Sequence, residues 1–211
     1  MAGIYIHIPF CKKACHYCNF HFSTTLNKKE EILNTIHKEI VLSEKYLDRE
    51  QVNTIYFGGG TPSLLQPQEV YELLNKIREY HIVNQDAEIT LEANPDDLAD
   101  VDDEKVQGFK ECGVNRLSIG VQSFFDQDLE YMNRSHNGDE AFNAVKRAMD
   151  CGMNLSIDLI YGTPTMNDKN WLKNLKTAFD LKVPHVSSYC LTVEPKTALD
   201  QFIKTGKSKP I

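Results

Sequence analysis

"GIYIHIPFCKKACHYCNF", residues 3–20, couples a short run of alternating β-branched and aromatic residues to three cysteines in an eight-residue window. Ile4–Ile8 reads as a strand that breaks at Pro9. Cys11, Cys15 and Cys18 follow at C-x3-C-x2-C spacing, and the next cysteine is Cys112. A strand running directly into unusual side chains is the pattern that the rest of the chain repeats. Further strands are expected at 54–57, 87–92, 116–121, 154–161 and 185–191, each short, rich in β-branched or aromatic residues and mostly bounded by Gly, Pro or Asn.

Helical periodicity fills the gaps, over 28–47, 66–80, 101–113, 138–152 and 167–181. Ile32, Ile36, Ile40 and Leu47 lie roughly on one stripe of the first of these, and Trp171, Leu172 and Leu175 look like a face of the last packed on the sheet. Gly113 and Gly152 suit left-handed caps. Strand–helix repetition of this kind means parallel pairing with right-handed crossovers, either an open barrel or a wound sheet. In both, ligands sit at the carboxyl ends of the strands. Cys11, Gly58–Thr61, Glu92, Gln122 and Asp158 lie at or near such ends, which points to one active face.

The bulk properties narrow the class. The 211 residues are 41% hydrophobic and 25% charged, with no repeat and no linker, so one domain is expected. A net charge of −7 argues against non-specific nucleic-acid binding. No apolar run is long enough for a membrane span, and the N-terminus lacks the basic region of a signal peptide. These features lead us to expect a cytoplasmic protein with reduced thiols. Cys112, Cys151 and Cys190 are expected to be small core residues.

Three clustered thiols are one short of a closed zinc site. His16 or His21 could complete a zinc knot, while three unrelated core cysteines would be odd beside Lys12 and Lys13. The remaining reading is an iron–sulfur cube held by Cys11, Cys15 and Cys18, with one iron open to another ligand. "FGGGTPS" (57–63) would let a ligand approach the backbone closely, with free carbonyls facing an ammonium group.

With Tyr17 before the last cysteine, the motif resembles that of the radical S-adenosylmethionine family. The resemblance implies an α/β fold, a partial (βα)6 TIM-like barrel of parallel strands with helices outside. It also implies a [4Fe-4S] cluster whose open iron is chelated by the amino and carboxylate groups of S-adenosyl-L-methionine, which an electron then cleaves to a deoxyadenosyl radical. Gly59, Gly60 and Thr61 match the family's GGE-like element, and Glu92 its ribose contact. Gln122, Arg134 and Asp158 resemble further cofactor contacts; Arg134 is expected to pair with Asp158 or with the cofactor carboxylate. Tyr5 on strand one and Thr192 after strand six complete the set.

"YIHIPFC", "GGGTPSLL", "EANP", "GVNRLSIGVQSF", "DLIYGTP" and "EPKT" together resemble the branch of oxygen-independent coproporphyrinogen III oxidase and its HemW-type relatives. The oxidase pattern continues C-x3-C-x2-C-x-C and has an extension before strand one. Here Phe20 stands in place of that fourth cysteine, which points to the heme-chaperone subgroup. Implied partners are heme, an acceptor protein and an electron donor such as a flavodoxin or ferredoxin. His136 is a candidate heme ligand, with a surface or capping role as the alternative. The oxidase reading, radical oxidative decarboxylation of a porphyrinogen, is the enzymatic alternative. Both subgroups carry a further C-terminal domain, so the chain is expected to be a truncated core domain.

Overall fold

The computed structural model describes residues 2–99 and 104–211. Six strands form one parallel sheet: β1 (Ala2–Ile8), β2 (Val52–Gly59), β3 (Val83–Ala93), β4 (Arg116–Gln122), β5 (Asn154–Tyr161) and β6 (His185–Cys190). Their spatial order is the chain order, β1 to β6. A doubly wound sheet would reverse direction midway. Unbroken succession with right-handed crossovers puts the crossover helices on one face, which is the partial barrel.

The helices are α1 (Lys29–Leu42), α2 (Pro67–Tyr80), α3 (Lys105–Cys112), α4 (Asp126–Tyr131), α5 (Gly138–Asp150), α6 (Asp168–Asp180) and α7 (Ala198–Lys204). Local chemistry sets their ends. Asn137 accepts from the Glu140 amide in a capping box, Asn167 accepts from the Asn170 amide, and Pro67 starts α2. Gly113 closes α3 in the left-handed region at φ 109°. The helix expected over 28–47 stops at Leu42, and the chain runs on through turns that include Asp48 and Arg49 at positive φ. Positions 101–103 of the helix expected over 101–113 lie outside the described residues. The short α4 and α7 have too few turns to show a period in the sequence.

Alternation along the strands sorts their side chains. Leu117, Ile119 and Val121 of β4 and Leu155, Ile157 and Leu159 of β5 point outward and are buried with Leu73, Leu74 and Ile77 of α2 and Ala141, Ala144 and Val145 of α5. Each such Val, Leu or Ile side chain stabilises the fold by about 1.5–3 kcal/mol. The inward residues of the same strands, among them Arg116, Ser118, Ser156 and Asp158, are polar and line a cavity.

Two core expectations are corrected. Cys112 is buried and Cys151 half-buried, but Cys190 is exposed, since it lies on the edge strand β6. Trp171 and Leu175 pack on the core, while Leu172, one step round the helix, is exposed.

Candidate cluster and nucleoside site

The cysteine loop is held from both sides. The Cys11 amide donates to the Ser23 carbonyl at 3.0 Å and the Ser23 amide to Pro9 at 2.8 Å, closing residues 9–23 into a compact loop. The His16 amide donates to Met132 at 3.0 Å, the Asn133 side chain to the Ala14 carbonyl at 2.7 Å, and the Leu199 amide to the His16 carbonyl at 2.8 Å. The two short helices missed in the sequence, α4 and α7, thus brace the loop. Lys12 adds an ion pair to Asp96 at 2.8 Å and to Asp97 at 2.5 Å, on the turn that follows β3. Asp97 also accepts from Ser63 at 2.6 Å, so the loops after β1, β2 and β3 are joined by one polar network.

The cavity between these loops and the inner sheet face measures about 830 Å3. Cys11, Cys15 and Cys18 line it together with Tyr17. Burial pushes the Cys11 and Cys18 thiols upward, and each feels the neighbouring thiols. Among the described residues no three His, Cys, Asp or Glu side chains close on a point as the ligands of a single ion do. A cube takes each thiolate on a different iron, so its holders stand wider apart than one ion's ligands. Neither His16 nor His21 is among the residues that line the cavity with the cysteines, and His16 Nδ1 lies 2.9 Å from the Tyr131 carbonyl with its ring against Phe202.

Gly59, Gly60 and Thr61 line the same cavity. The glycines are required first by the chain itself. A Cβ on Gly60 would stand 2.5 Å from the Phe10 carbonyl oxygen, and Gly59 has φ 111° with the His7 ring against it. The amides of Gly60 and Thr61 donate to Ile8 and Phe10 at 2.9 and 2.7 Å, which seats this turn on the cysteine loop.

Glu92 lies at the end of β3, half-buried on the cavity wall. Tyr56 donates to one of its oxygens and the Gly59 amide to the other. Burial raises the Glu92 carboxyl above its ordinary range, and those two donors pull it back. Asp158 on β5 is also raised by burial, and Ser187 is its hydrogen-bond partner. The expected Arg134–Asp158 pair does not form. Arg134 donates to Asn94 at 2.7 Å, to the Gly120 carbonyl at 2.8 Å, and at longer range to Cys15 and Tyr17. Burial opposes the charge on Arg134, yet its neighbours, Tyr17 and Cys15 first, outweigh that and keep it protonated.

Gln122 adopts φ 63° where the β4–β5 register shifts, and it is buried in the cavity wall with its Oε1 unpartnered. Arg134 Nε is likewise buried without an acceptor. One acceptor short of a donor and one donor short of an acceptor suit a ligand bearing hydroxyl or ammonium groups beside a carboxylate. The residues present therefore fit an amino-acid-bearing nucleoside. Thr192 reaches the cavity past β6. Tyr5 does not line it: the ring stacks on Tyr56 near the open β1 edge, with its hydroxyl 3.2 Å from His7.

His136 is neither a surface group nor a cap, correcting that expectation. It is buried, 3.0 Å from the Val121 carbonyl, and is not among the cavity-lining residues, so it offers no nitrogen to a ligand there. Residues not singled out in the sequence include Tyr56, Asn94, Arg116, Ser118, Ser156 and Ser187. The alternation Arg-Leu-Ser-Ile-Gly-Val-Gln over 116–122 already put the polar ones on one face.

Comparison with known proteins agrees with this geometry. The chain is 38% identical over 210 residues to the heme chaperone HemW of Bacillus subtilis (strain 168), covering 98% of this chain and 55% of that protein. Against the heme chaperone HemW of Escherichia coli (strain K12) the identity is 37% over 202 residues, covering 92% and 52%. The chain thus spans about half the length of the curated relatives it matches. Among solved structures, coproporphyrinogen III oxidase (HemN) from Escherichia coli, a radical SAM enzyme, superposes with a TM-score of 0.81 at 26% identity, over 97% of this chain and 52% of that one. The radical S-adenosylmethionine methyltransferase TsrM of Kitasatospora setae matches at a TM-score of 0.65 and 12% identity, over 96% and 39%, a likeness of fold alone. The model of the Radical SAM superfamily matches residues 5–192, nearly the whole chain with its cysteine loop and cavity wall, and the chain belongs to that superfamily.

Proposed function

We propose that this chain is the core of a heme chaperone, which holds a [4Fe-4S] cluster on Cys11, Cys15 and Cys18, binds S-adenosyl-L-methionine against β2 to β6, and passes heme to an acceptor protein in the cytoplasm. The observation that carries this reading is the likeness to HemW proteins, 34–38% identical over more than nine-tenths of the chain. Phe20 supports it, because that position in the oxidase pattern is a cysteine. No described helix is long and apolar enough to cross a membrane.

With both groups bound, the cluster on Cys11, Cys15 and Cys18 would supply one electron to the sulfonium of S-adenosylmethionine, and a flavodoxin or ferredoxin would replenish it. The chain's own contribution is placement. Glu92, steadied by Tyr56 and Gly59, offers a carboxylate to ribose hydroxyls; Gln122 and Arg134 offer the free acceptor and donor described above. Arg134 also ties the cysteine loop to β3 and β4 through Asn94 and Gly120, so cluster and nucleoside share one rigid frame.

The test is anaerobic reconstitution followed by two titrations. Hemin should give a saturable Soret shift. Coproporphyrinogen III should be returned unchanged; its conversion to protoporphyrinogen would replace the chaperone with the oxidase.

A further inference from the structure

Closed βα barrels fill their interiors with bulky branched side chains. Here the inward positions of β4, β5 and β6 carry Arg116, Ser118, Ser156 and Ser187, and all four line the cavity. The strand register sets Ser118 beside Ser156 and Asp158 beside Ser187. Small hydroxyl side chains leave volume unfilled while offering hydrogen bonds into it. Arg116 stands at the start of β4 and Gln122 at its end, about 20 Å apart along an extended strand. Arg116 therefore lies well below Gln122, while Ser118, two residues further along β4, is level with Glu92 in the strand register.

Arg116 is held loosely there. Its Nη1 donates to Glu88 at 3.3 Å and Thr90 at 3.5 Å, and its Nη2 to Ser156 at 3.2 Å. Charge-assisted bonds of this kind are normally about 2.7–2.9 Å. The Glu88 side chain is half-exposed, a setting in which an ion pair contributes at most about 1 kcal/mol. An incoming carboxylate could take the guanidinium fork in its place. Ser156 passes its own hydrogen to Ser118 at 3.1 Å, and both hydroxyls can turn toward an acceptor.

We propose that Arg116, Ser118 and Ser156 form a carboxylate site on the cavity floor for the propionate edge of a porphyrin cargo. This rests on the heme-binding reading above. The amino-acid carboxylate of S-adenosylmethionine is the other source of the same chemistry, and the experiment separates the two.

The reconstituted chain is titrated anaerobically with hemin, hemin dimethyl ester and S-adenosylmethionine, in wild type, Arg116→Gln and Arg116→Lys. Wild type should bind hemin about tenfold more tightly than the ester. Arg116→Gln should bring hemin down to the ester's affinity and leave S-adenosylmethionine within about twofold; Arg116→Lys should recover part of the preference. Unchanged discrimination in Arg116→Gln with hemin still bound overturns the floor site alone. Loss of S-adenosylmethionine affinity in place of hemin affinity assigns the floor to the nucleoside and overturns it too. Failure of hemin to bind wild type overturns both this site and the heme reading. If Arg116→Gln melts early, Ser156→Ala serves instead, with an expected loss of about threefold for hemin only; no loss counts equally against the site.

Discussion

Tyr56 donates its phenolic hydrogen to Glu92 at 2.8 Å, while the Gly59 amide donates to the other carboxylate oxygen at 3.2 Å. One strand thus supplies both donors that fix a carboxylate on its neighbour. Burial, with the charge of Glu92 beside it, pushes the Tyr56 hydroxyl upward, so it remains a donor at every physiological pH. Tyr56→Phe should cost about 1 kcal/mol in urea unfolding and weaken S-adenosylmethionine binding about fivefold by calorimetry. Unchanged affinity would mean that Glu92 does not contact the nucleoside.

Asp158 should separate stability from binding. Its pKa is raised by burial, so above that value the fold carries an ionised group it would rather protonate. Asn at this position keeps an acceptor for Ser187 and removes the charge. Asp158→Asn should equal or exceed wild type in stability at pH 7, with the difference shrinking as the pH falls through the raised pKa, while S-adenosylmethionine affinity falls about tenfold. A variant less stable than wild type by more than about 1 kcal/mol at pH 7 would contradict the burial argument.

His136 predicts an acid limit. Burial first, then the Arg134 charge, lowers its pKa to about 4. An unfolded histidine titrates near pH 6.5, so below that pH the unfolded chain takes up a proton that the native state refuses. Stability therefore falls between about pH 6.5 and 4, by about 2 kcal/mol from this group at pH 5. His136→Gln, which keeps a donor for the Val121 carbonyl, should flatten that slope in urea melts taken from pH 7.5 to 5.

Gly60 and Gly206 make a contrasting pair. An added Cβ at Gly60 meets three backbone atoms of Ile8 and Phe10, at 2.5 to 2.9 Å, which side-chain rotation cannot relieve. Gly206 has φ 73° but no atom within 4 Å. Gly60→Ala should cost about 3 kcal/mol or more, by separating the β2 turn from the cysteine loop. Gly206→Ala should cost only about 1 kcal/mol of backbone strain.

The six cysteines should divide cleanly by position. Cys11→Ala, Cys15→Ala and Cys18→Ala should each abolish stable iron and sulfide incorporation after anaerobic reconstitution. Cys112→Ala, Cys151→Ala and Cys190→Ala should leave both contents at the wild-type level, even though Cys190 also lines the cavity. Iron loss in the second group would enlarge the ligand set.

The sequence by itself determined which strands form, how their faces divide and which thiols cluster, because these depend on short spacings and on the two-residue period of extended chain. Strands at Ile4–Ile8 and in the 116–122 and 154–161 stretches are visible in that way, and so is the polar face running Arg116, Ser118, Gln122. The tertiary structure alone decided which partners those residues take. Arg134 meets Asn94 and Gly120 and leaves Asp158 to Ser187, since three separate loops converge above β3 and β4. It also decided that Cys190 is exposed and His136 buried. Solvent access depends on what the rest of the fold lays over a position, and an edge strand such as β6 has a neighbour on only one side.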